Sequence, residues 1–583
     1  MSGPIRIANC SGFYGDRLAA AKEMVEGGPI DVLSGDWLAE LTMLILAGHK
    51  ARDASRGYAR SFIRQMEQVM GTCLDRGIKV VSNAGGLNPA SCAMAVQEVA
   101  DKLGLTAKIA YVDGDDLMPY LSDLREKGHT FDNLDTREAL GDRQVITANA
   151  YVGGWGITEA LNRGADIVIT GRVTDAAVVV GPAAWRHGWN RDDWDALAGA
   201  VVAGHVIECG AQATGGNYAF FQEVPGLEHP GFPIAEVAED GSCVITKHSG
   251  HGGLVSVGTV TAQLLYEIAG PEYFNPDVTS RFDTIHLEQE GPDRVRVSGV
   301  RGQPPPPTTK VAMNFAGGLR MTFSLKLTGL DIDEKAALAE RTIWSAIPGG
   351  RESFEEAYTQ LIRSDHEDPA TNEEAVAELR IVLKDHDETK FGRAISQKVI
   401  EMALASYPGF FGGQFGQATP YGVYWPALVP SDLVWQEVVM DGERTRVETT
   451  RPPENWRAFL PFNVGPFRSS WGPTVRAPLG RVAGARSGDK GGNANLGVWT
   501  RTDEAYAWLD TFLDVDRLRV LMPETKDLEV IRYDLPNIRA LNFIIVGLLG
   551  EGVASSVRLD PQAKGLGEYL RAKVVDVPEE LLS

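Results

Sequence analysis

The chain has 583 residues, 44% of them apolar and 23% charged, an ordinary globular composition that excludes wholesale disorder. Lys and Arg number 56 against 78 Asp and Glu, and the net charge of −22 argues against nucleic acid or an anionic membrane surface as a partner. The opening residues MSGPIRIANCSG lack a basic stretch leading into an apolar one, no apolar run reaches the ~18 residues of a membrane span, and the five scattered cysteines contain no CxxC, so the expectation is a cytoplasmic protein without disulfides or structural zinc.

The first 180 residues repeat one unit: a short Val- and Ile-rich run, a Gly/Asn/Asp loop, then a helical stretch. The runs are IRIANCSG (5–12), IDVLSGD (30–36), KVVSNAGG (79–86), KIAYVDGDD (108–116), QVITANAYVGG (144–154) and DIVITGR (166–172). They lack strict alternation, as strands buried on both faces do. Helical segments such as SFIRQMEQVMGTCLDRG and PASCAMAVQEVADKLG fall between them, which implies crossover connections and a mostly parallel sheet. The expected class is α/β, with an open doubly wound sheet first and a barrel-like closure second. In either, ligands bind where strands end at their C-terminal edges.

From about residue 205 the texture changes to α+β. FPIAEVAEDGSCVITKH reads as a hairpin around Glu239–Gly241, GLVSVGTVTAQLLYEIAG as a helix, and DTIHLEQEGPDRVRVSGVRG as a second hairpin. Pro304–Pro307 forms a stiff connector. The acidic stretch 351–390 reads as an amphipathic helix followed by a strand, and the aromatic, Gly- and Pro-rich 406–430 as a packed or ligand-covering loop. The organisation expected is an α/β core over 1–455 with an α+β insertion around 205–345, a linker over 456–478, and a small domain over 479–583. In that last part a hairpin, a helix, two strands and a closing helix suit a ferredoxin-like α+β sandwich.

The strand-end polar residues are the first candidates for a site: Asn9, Cys10, Ser11, Asp36, Asn83, Asn88, Asp113, Asp115, Asp116, Asn149, Arg172 and Asp175. Singly, each also reads as turn or cap chemistry. Together they converge on one rim if the six runs share a sheet. YVDGDDL either holds Mg²⁺, supplies acid–base groups, or ends a strand before a capped helix. Arg172 and Asp175 are either a carboxylate clamp beside a base or a local ion pair. SNAGGLNPAS sets Asn88 as a cap and Pro89 in the first helical turn, where an anion or carbonyl oxygen can sit. ARSGDKGGNAN (485–495) combines a possible anion nest with Arg486, Asp489, Lys490, Asn493 and Asn495, or else is a tight turn. Cys209 with His205 is a candidate thiol nucleophile, against the commoner inert buried cysteine. His248 and His251 in KHSGHGG lack the further ligands a metal needs.

Taken in order, RIANCSGFYGD, DVLSGDWLAE, SNAGGLNP, DIVITGRVTDAA, ECGAQATGGN, LEQEGPDRVRVSGVRGQPPPPT, ASYPGFF and ARSGDKGGNANLG resemble the AtuA family, the acyclic terpene utilisation proteins. The resemblance covers nearly the whole chain, and its C-terminal part is similar to the ferredoxin-fold AtuA-like domain. It implies a role in the catabolism of citronellol- and geraniol-like compounds, through branched acyl-CoA thioesters. The expectation is an enzyme acting on a branched acyl-CoA or related carboxylate by hydratase, lyase or isomerase chemistry. Asp36 and Asp113 are then candidate acid–base groups, with Asn83, Asn88 and Asn149 donating to an oxyanion and Arg172 holding a carboxylate or phosphate. The loop of Arg486, Asp489 and Lys490 closes that site or binds CoA phosphate, and Asn9, Ser11, Asp175 and Asn493 are further binding candidates. No cofactor is firmly implied beyond the coenzyme A of a thioester substrate, no metal ligands are assigned, and a homo-oligomer is expected. The alternative is a non-catalytic partner of an acyl-CoA carboxylase-type assembly, its glycine loops contacting protein.

Overall fold

The computed structural model describes residues 3–458 and 471–582, so the expected linker over 456–478 lies partly outside the described residues. Five runs form a parallel centre in the order β1 (Ile5–Asn9), β2 (Val32–Gly35), β3 (Lys79–Ser82), β6 (Ile167–Thr170) and β4 (Ile109–Asp113). Strands β2 and β6 are buried along their whole length, as their unbroken apolar sequence requires. Helices Arg60–Arg76 and Pro89–Leu103 cover this centre through Phe62, Met66, Val69, Met70, Val96 and Val99. The second helix is set by Asn88, whose Oδ1 accepts from the Ser91 N–H at 3.2 Å.

Antiparallel strands extend the sheet on both sides. β7 (Pro233–Val237) pairs with β1 and β8 (Cys243–Lys247) with β7, in the hairpin expected around Glu239–Gly241. Arg294–Ser298 and His286–Gly291 follow as the second expected hairpin. On the other edge Trp435–Met440 pairs with β4 and carries Glu443–Glu448. The sixth run departs from expectation. β5 (Val145–Ala150) is absent from this sheet, because β6 and Trp435–Met440 occupy both places beside β4. It pairs instead with the long strand Thr308–Thr328, where the Tyr151 N–H donates to the Lys310 carbonyl at 2.9 Å. Bridges Asp116 to Asn149 and Val152 to Val173 still bring the end of β5 to the rim.

The C-terminal part is the expected α+β sandwich. Its antiparallel sheet runs Ala483–Lys490, Asn493–Thr500, Ala540–Ile545, Val530–Leu535. Leu496, Val498, Leu541 and Phe543 pack on Leu509, Leu518, Leu566 and Leu570 of the helices. The closing segment is a helix, Leu566–Arg571, followed by a strand, Val574–Pro578, rather than a helix alone.

The chain divides into two compact units. The first comprises Met1–Asn314, Tyr424–Val553 and Asp560–Ser583, and so contains both the parallel centre and the C-terminal sandwich. The second comprises Phe315–Val423 and Ala554–Leu559. Two expectations fail in this stretch. The helix anticipated after residue 351 is the strand Glu356–Ile362, paired along its length with Val376–Asp385. The anticipated loop over 406–430 is two strands, Phe411–Phe415 and Thr419–Pro430, both paired with Thr308–Thr328. In both cases β-branched and aromatic residues gain more from cross-strand pairing than local acidity or glycine content sets against it. No helix among the described residues is long and apolar enough to cross a membrane.

Asp277 ties the first unit together from a buried position, its Oδ2 accepting from the Gly154 N–H at 2.7 Å. Burial pushes its carboxyl up to about 6, against the pull of that hydrogen bond and of Arg191. The native state therefore binds a proton more tightly than the unfolded chain, and this group's contribution to stability falls as pH rises from about 4 to 6. Asp277→Asn keeps an acceptor for Gly154 and removes that slope. Urea denaturation from pH 4 to 7 will show the variant flatter than the wild type and more stable at pH 7 by up to about 3 kcal/mol.

Candidate functional site

Register alone brings the first candidates together. Gly35 of β2 lies opposite Ser82 of β3, and Ser82 opposite Ile169 of β6. The next residue on each of β2 and β3 is therefore a neighbour: Asn83 Nδ2 donates to Asp36 Oδ1 at 2.6 Å. The Leu38 N–H donates to the same oxygen at 2.8 Å, and Asn83 Oδ1 accepts from the Trp37 N–H at 2.8 Å. Ser11 extends the group, its carbonyl accepting from the Asp36 N–H at 2.9 Å. Asn9 Oδ1 accepts from the Ser11 N–H at 2.9 Å, while its Nδ2 reaches the carbonyl of Glu208 at 3.2 Å.

Arg172 enters from β6. Its N–H donates to Asp115 Oδ2 at 2.9 Å, and Asn149 Nδ2 donates to the same oxygen at 2.8 Å. Gly171 is obligatory there, because any Cβ would collide with the Asp115 carboxylate. The Arg172 guanidinium donates to Asp175 Oδ1 at 2.8 Å and lies 4.1 Å from the Tyr151 ring centroid. One oxygen each of Asp36, Asp175 and Glu208 then fall within 4.8 Å of one another. Burial, then the Asp175 charge, raise Asp36 well above the usual carboxylate range. The same two causes raise Glu208, which ends the buried helix Trp194–Ile207.

A second layer carries the positive charge. Lys310 Nζ sits 3.7 Å from Glu40 Oε1 and 5.0 Å from the Tyr151 centroid. Tyr151 Oη donates to Glu40 Oε1 at 3.3 Å. Burial works to raise Glu40, yet Lys310 and Arg172 hold it down at about 2. The C-terminal sheet delivers the rest. Lys490 Nζ donates to the Glu267 carbonyl at 2.7 Å, and burial with the Lys310 charge lowers it. Lys564 Nζ lies 3.5 Å from Asp489 Oδ1 and 3.4 Å from Glu267 Oε1. Burial and Glu267 push Asp489 up to about 7, with Lys564 opposing. Arg486 lies 4.6 Å from the Tyr266 centroid and donates to Gln212 Oε1.

The remaining candidates have other partners. Asp113 Oδ1 accepts from the Gly114 N–H at 2.9 Å, within its own turn, and Asp116 Oδ1 from the Met118 N–H at 2.9 Å. Asn88 caps its helix and donates to the carbonyls of Ala54 and Arg56. Asn493 bonds Asp135 Oδ1 at 2.9 Å and the Gly547 N–H at 2.9 Å, holding a turn. Burial, then Glu208, raise the Cys209 thiol, which disfavours the thiolate a nucleophile needs. Cys10 is likewise raised by burial. His248 Nε2 bonds the Met24 carbonyl at 2.9 Å in a packing role.

Glu40, Lys310, Glu267, Lys564 and Tyr151 were not singled out by sequence. Glu208 stood in the ECGAQATGG block beside the cysteine that drew notice. Lys564 and Glu267 are 297 residues apart, and no local pattern joins them.

The family model for acyclic terpene utilisation family protein AtuA matches residues 5–440, and that for the AtuA ferredoxin-like domain matches residues 477–576. The chain belongs to this family. No curated protein and no solved structure matches it significantly.

Asn83 is fully buried between Asp36 and the Trp37 amide. Asn83→Ala leaves the buried Trp37 N–H unmatched and takes one of two donors from Asp36 Oδ1, which should cost about 1–3 kcal/mol in urea denaturation. A loss below a few tenths would mean the site relaxes around the deletion.

Proposed function

We propose that this member of the acyclic terpene utilisation family is an acid–base enzyme of hydratase or lyase type, acting on a branched acyl-CoA thioester or related carboxylate. Family membership suggests the pathway. The observation that carries the chemistry is that Asp489 and Lys490, on one strand, lie within electrostatic reach of the Lys310–Glu40 pair: Lys310 and Glu40 act on Lys490, and Glu40 on Asp489. Asp489, at about 7, exchanges a proton readily at neutral pH, which suits a general base that later returns it as an acid.

In this reading Asp489 takes the proton α to the thioester carbonyl and passes it to the departing β-hydroxyl, which leaves as water; in addition it takes a proton from water as the oxygen bonds to the β carbon and delivers that proton to the α carbon. Lys490 and Lys310 face the oxygen that becomes negative as the α carbon is deprotonated. Their burial strengthens that stabilisation relative to water. Arg172, already bound to Asp175, offers the planar guanidinium that suits a substrate carboxylate.

The test is turnover of branched enoyl- and 3-hydroxyacyl-CoA thioesters, with thermal unfolding of the protein beside each as a binding readout. Asp489→Asn should lower kcat by about 10²–10⁴ while leaving the fold intact. The wild-type kcat should rise with pH through about 7 in the direction where Asp489 abstracts a proton. Turnover retained in Asp489→Asn removes the assignment. A raised melting temperature without turnover of any thioester would favour a non-catalytic binding partner instead.

A further inference from the structure

We infer that Asp36, Asp175 and Glu208 form a site for one divalent cation of the hard, oxygen-preferring class, Mg²⁺ or Mn²⁺. The three come from three elements: the end of β2, the turn after β6, and the end of helix Trp194–Ile207. One oxygen from each lies within 4.8 Å of the other two. Oxygens bound to such an ion at ~2.1 Å stand at most about 4.2 Å apart across it, a spacing close to the one these three carboxylates hold.

Each group is already oriented. Asp36 Oδ1 is fixed by Asn83 and the Leu38 N–H, Asp175 Oδ1 by Arg172, and the Glu208 main chain by Asn9. Three carboxylates and no thiolate or imidazole in the set select an oxygen-seeking ion over zinc or copper. Among the described residues, Arg172 on Asp175 is the one Arg or Lys in ion-pair contact with the trio.

A second observation is independent of the clustering. Glu208 is 5% exposed and its Oε2 has no hydrogen-bond partner. His205, 0% exposed, faces Glu208 Oε1 with its Nδ1 at 3.5 Å. Native interiors seldom leave a carboxylate oxygen unsatisfied. A cation between the carboxylates satisfies the free oxygen and offsets the crowded charge. Its remaining coordination positions would take water and a substrate oxygen, which deepens the acid–base reading above and rests on this being the functional centre.

The test reads metal, not turnover. The full chain is stripped with EDTA and titrated with Mn²⁺, with free Mn²⁺ followed by electron paramagnetic resonance and thermal unfolding measured in parallel. One Mn²⁺ per chain, displaced by excess Mg²⁺ and raising the melting temperature, is expected. Asp175→Asn and Glu208→Gln should each weaken binding at least tenfold. Without metal, Glu208→Gln should melt no lower than the wild type, because it relieves like-charge crowding, and this separates lost binding from lost folding. Absence of saturable binding to the wild type, or unchanged affinity in both variants, overturns the inference. Asp489→Asn should bind Mn²⁺ normally. Failure of the acid–base assignment would appear there as retained turnover with metal binding intact, whereas failure of the metal site would appear in the titration alone.

Discussion

The carboxyl rim of the sheet is organised about the guanidinium of Arg172. A buried arginine is tolerable only when its charge is compensated. Here the main-chain N–H is fixed by Asp115, one face of the guanidinium lies on Tyr151, and Nη1 bonds Asp175 and, at 3.4 Å, the carbonyl of Leu38. Those partners come from the ends of β4, β5, β6 and the loop after β2. One residue therefore sets the spacing of four segments, and Gly171 is required because the Asp115 carboxylate occupies the space a Cβ would need.

The rim sets matched pairs, Arg172 with Asp175 and Lys310 with Glu40, beside like charges held close. Asp36 and Glu208 are raised by burial and by a like charge, and Lys490 is lowered by burial and by Lys310. A purely structural ion network would place each charge against its opposite. The opposite arrangement, like charges held close in low dielectric, is the one that prepares groups to give up protons or to accept a ligand. The hydrophobic core below supplies the stability that permits it: Ile7, Leu33, Val81 and Ile169 are essentially fully buried.

What was legible in the sequence followed from local periodicity. Five Val/Ile runs became parallel strands because each was apolar on both faces, and the placement of Asp36 and Asn83 side by side follows from β2 and β3 being neighbours in register. The run containing Asn149 had the same texture but a different destination, since strand texture does not specify a partner when both edges of β4 are taken by others. Three aspartates in YVDGDDL looked equivalent in one dimension. The fold turns Asp113 and Asp116 onto neighbouring amides and sends Asp115 inward to Arg172. Glu40, Lys310 and Lys564 carried no local signal at all, because their meaning is set by residues far along the chain.

Acid and base are divided unequally between the two family segments. The first holds Glu40, Asp175, Glu208 and Glu267 with Arg172 and Lys310, while the second adds Lys490 and Lys564 together with Asp489. Neither segment is electrically complete alone. The two halves are therefore complementary in charge: the larger carries the excess of acid and the smaller the excess of base. Without the smaller segment the larger would set four carboxylates against two cations, an imbalance that protons or ions from solution would have to meet.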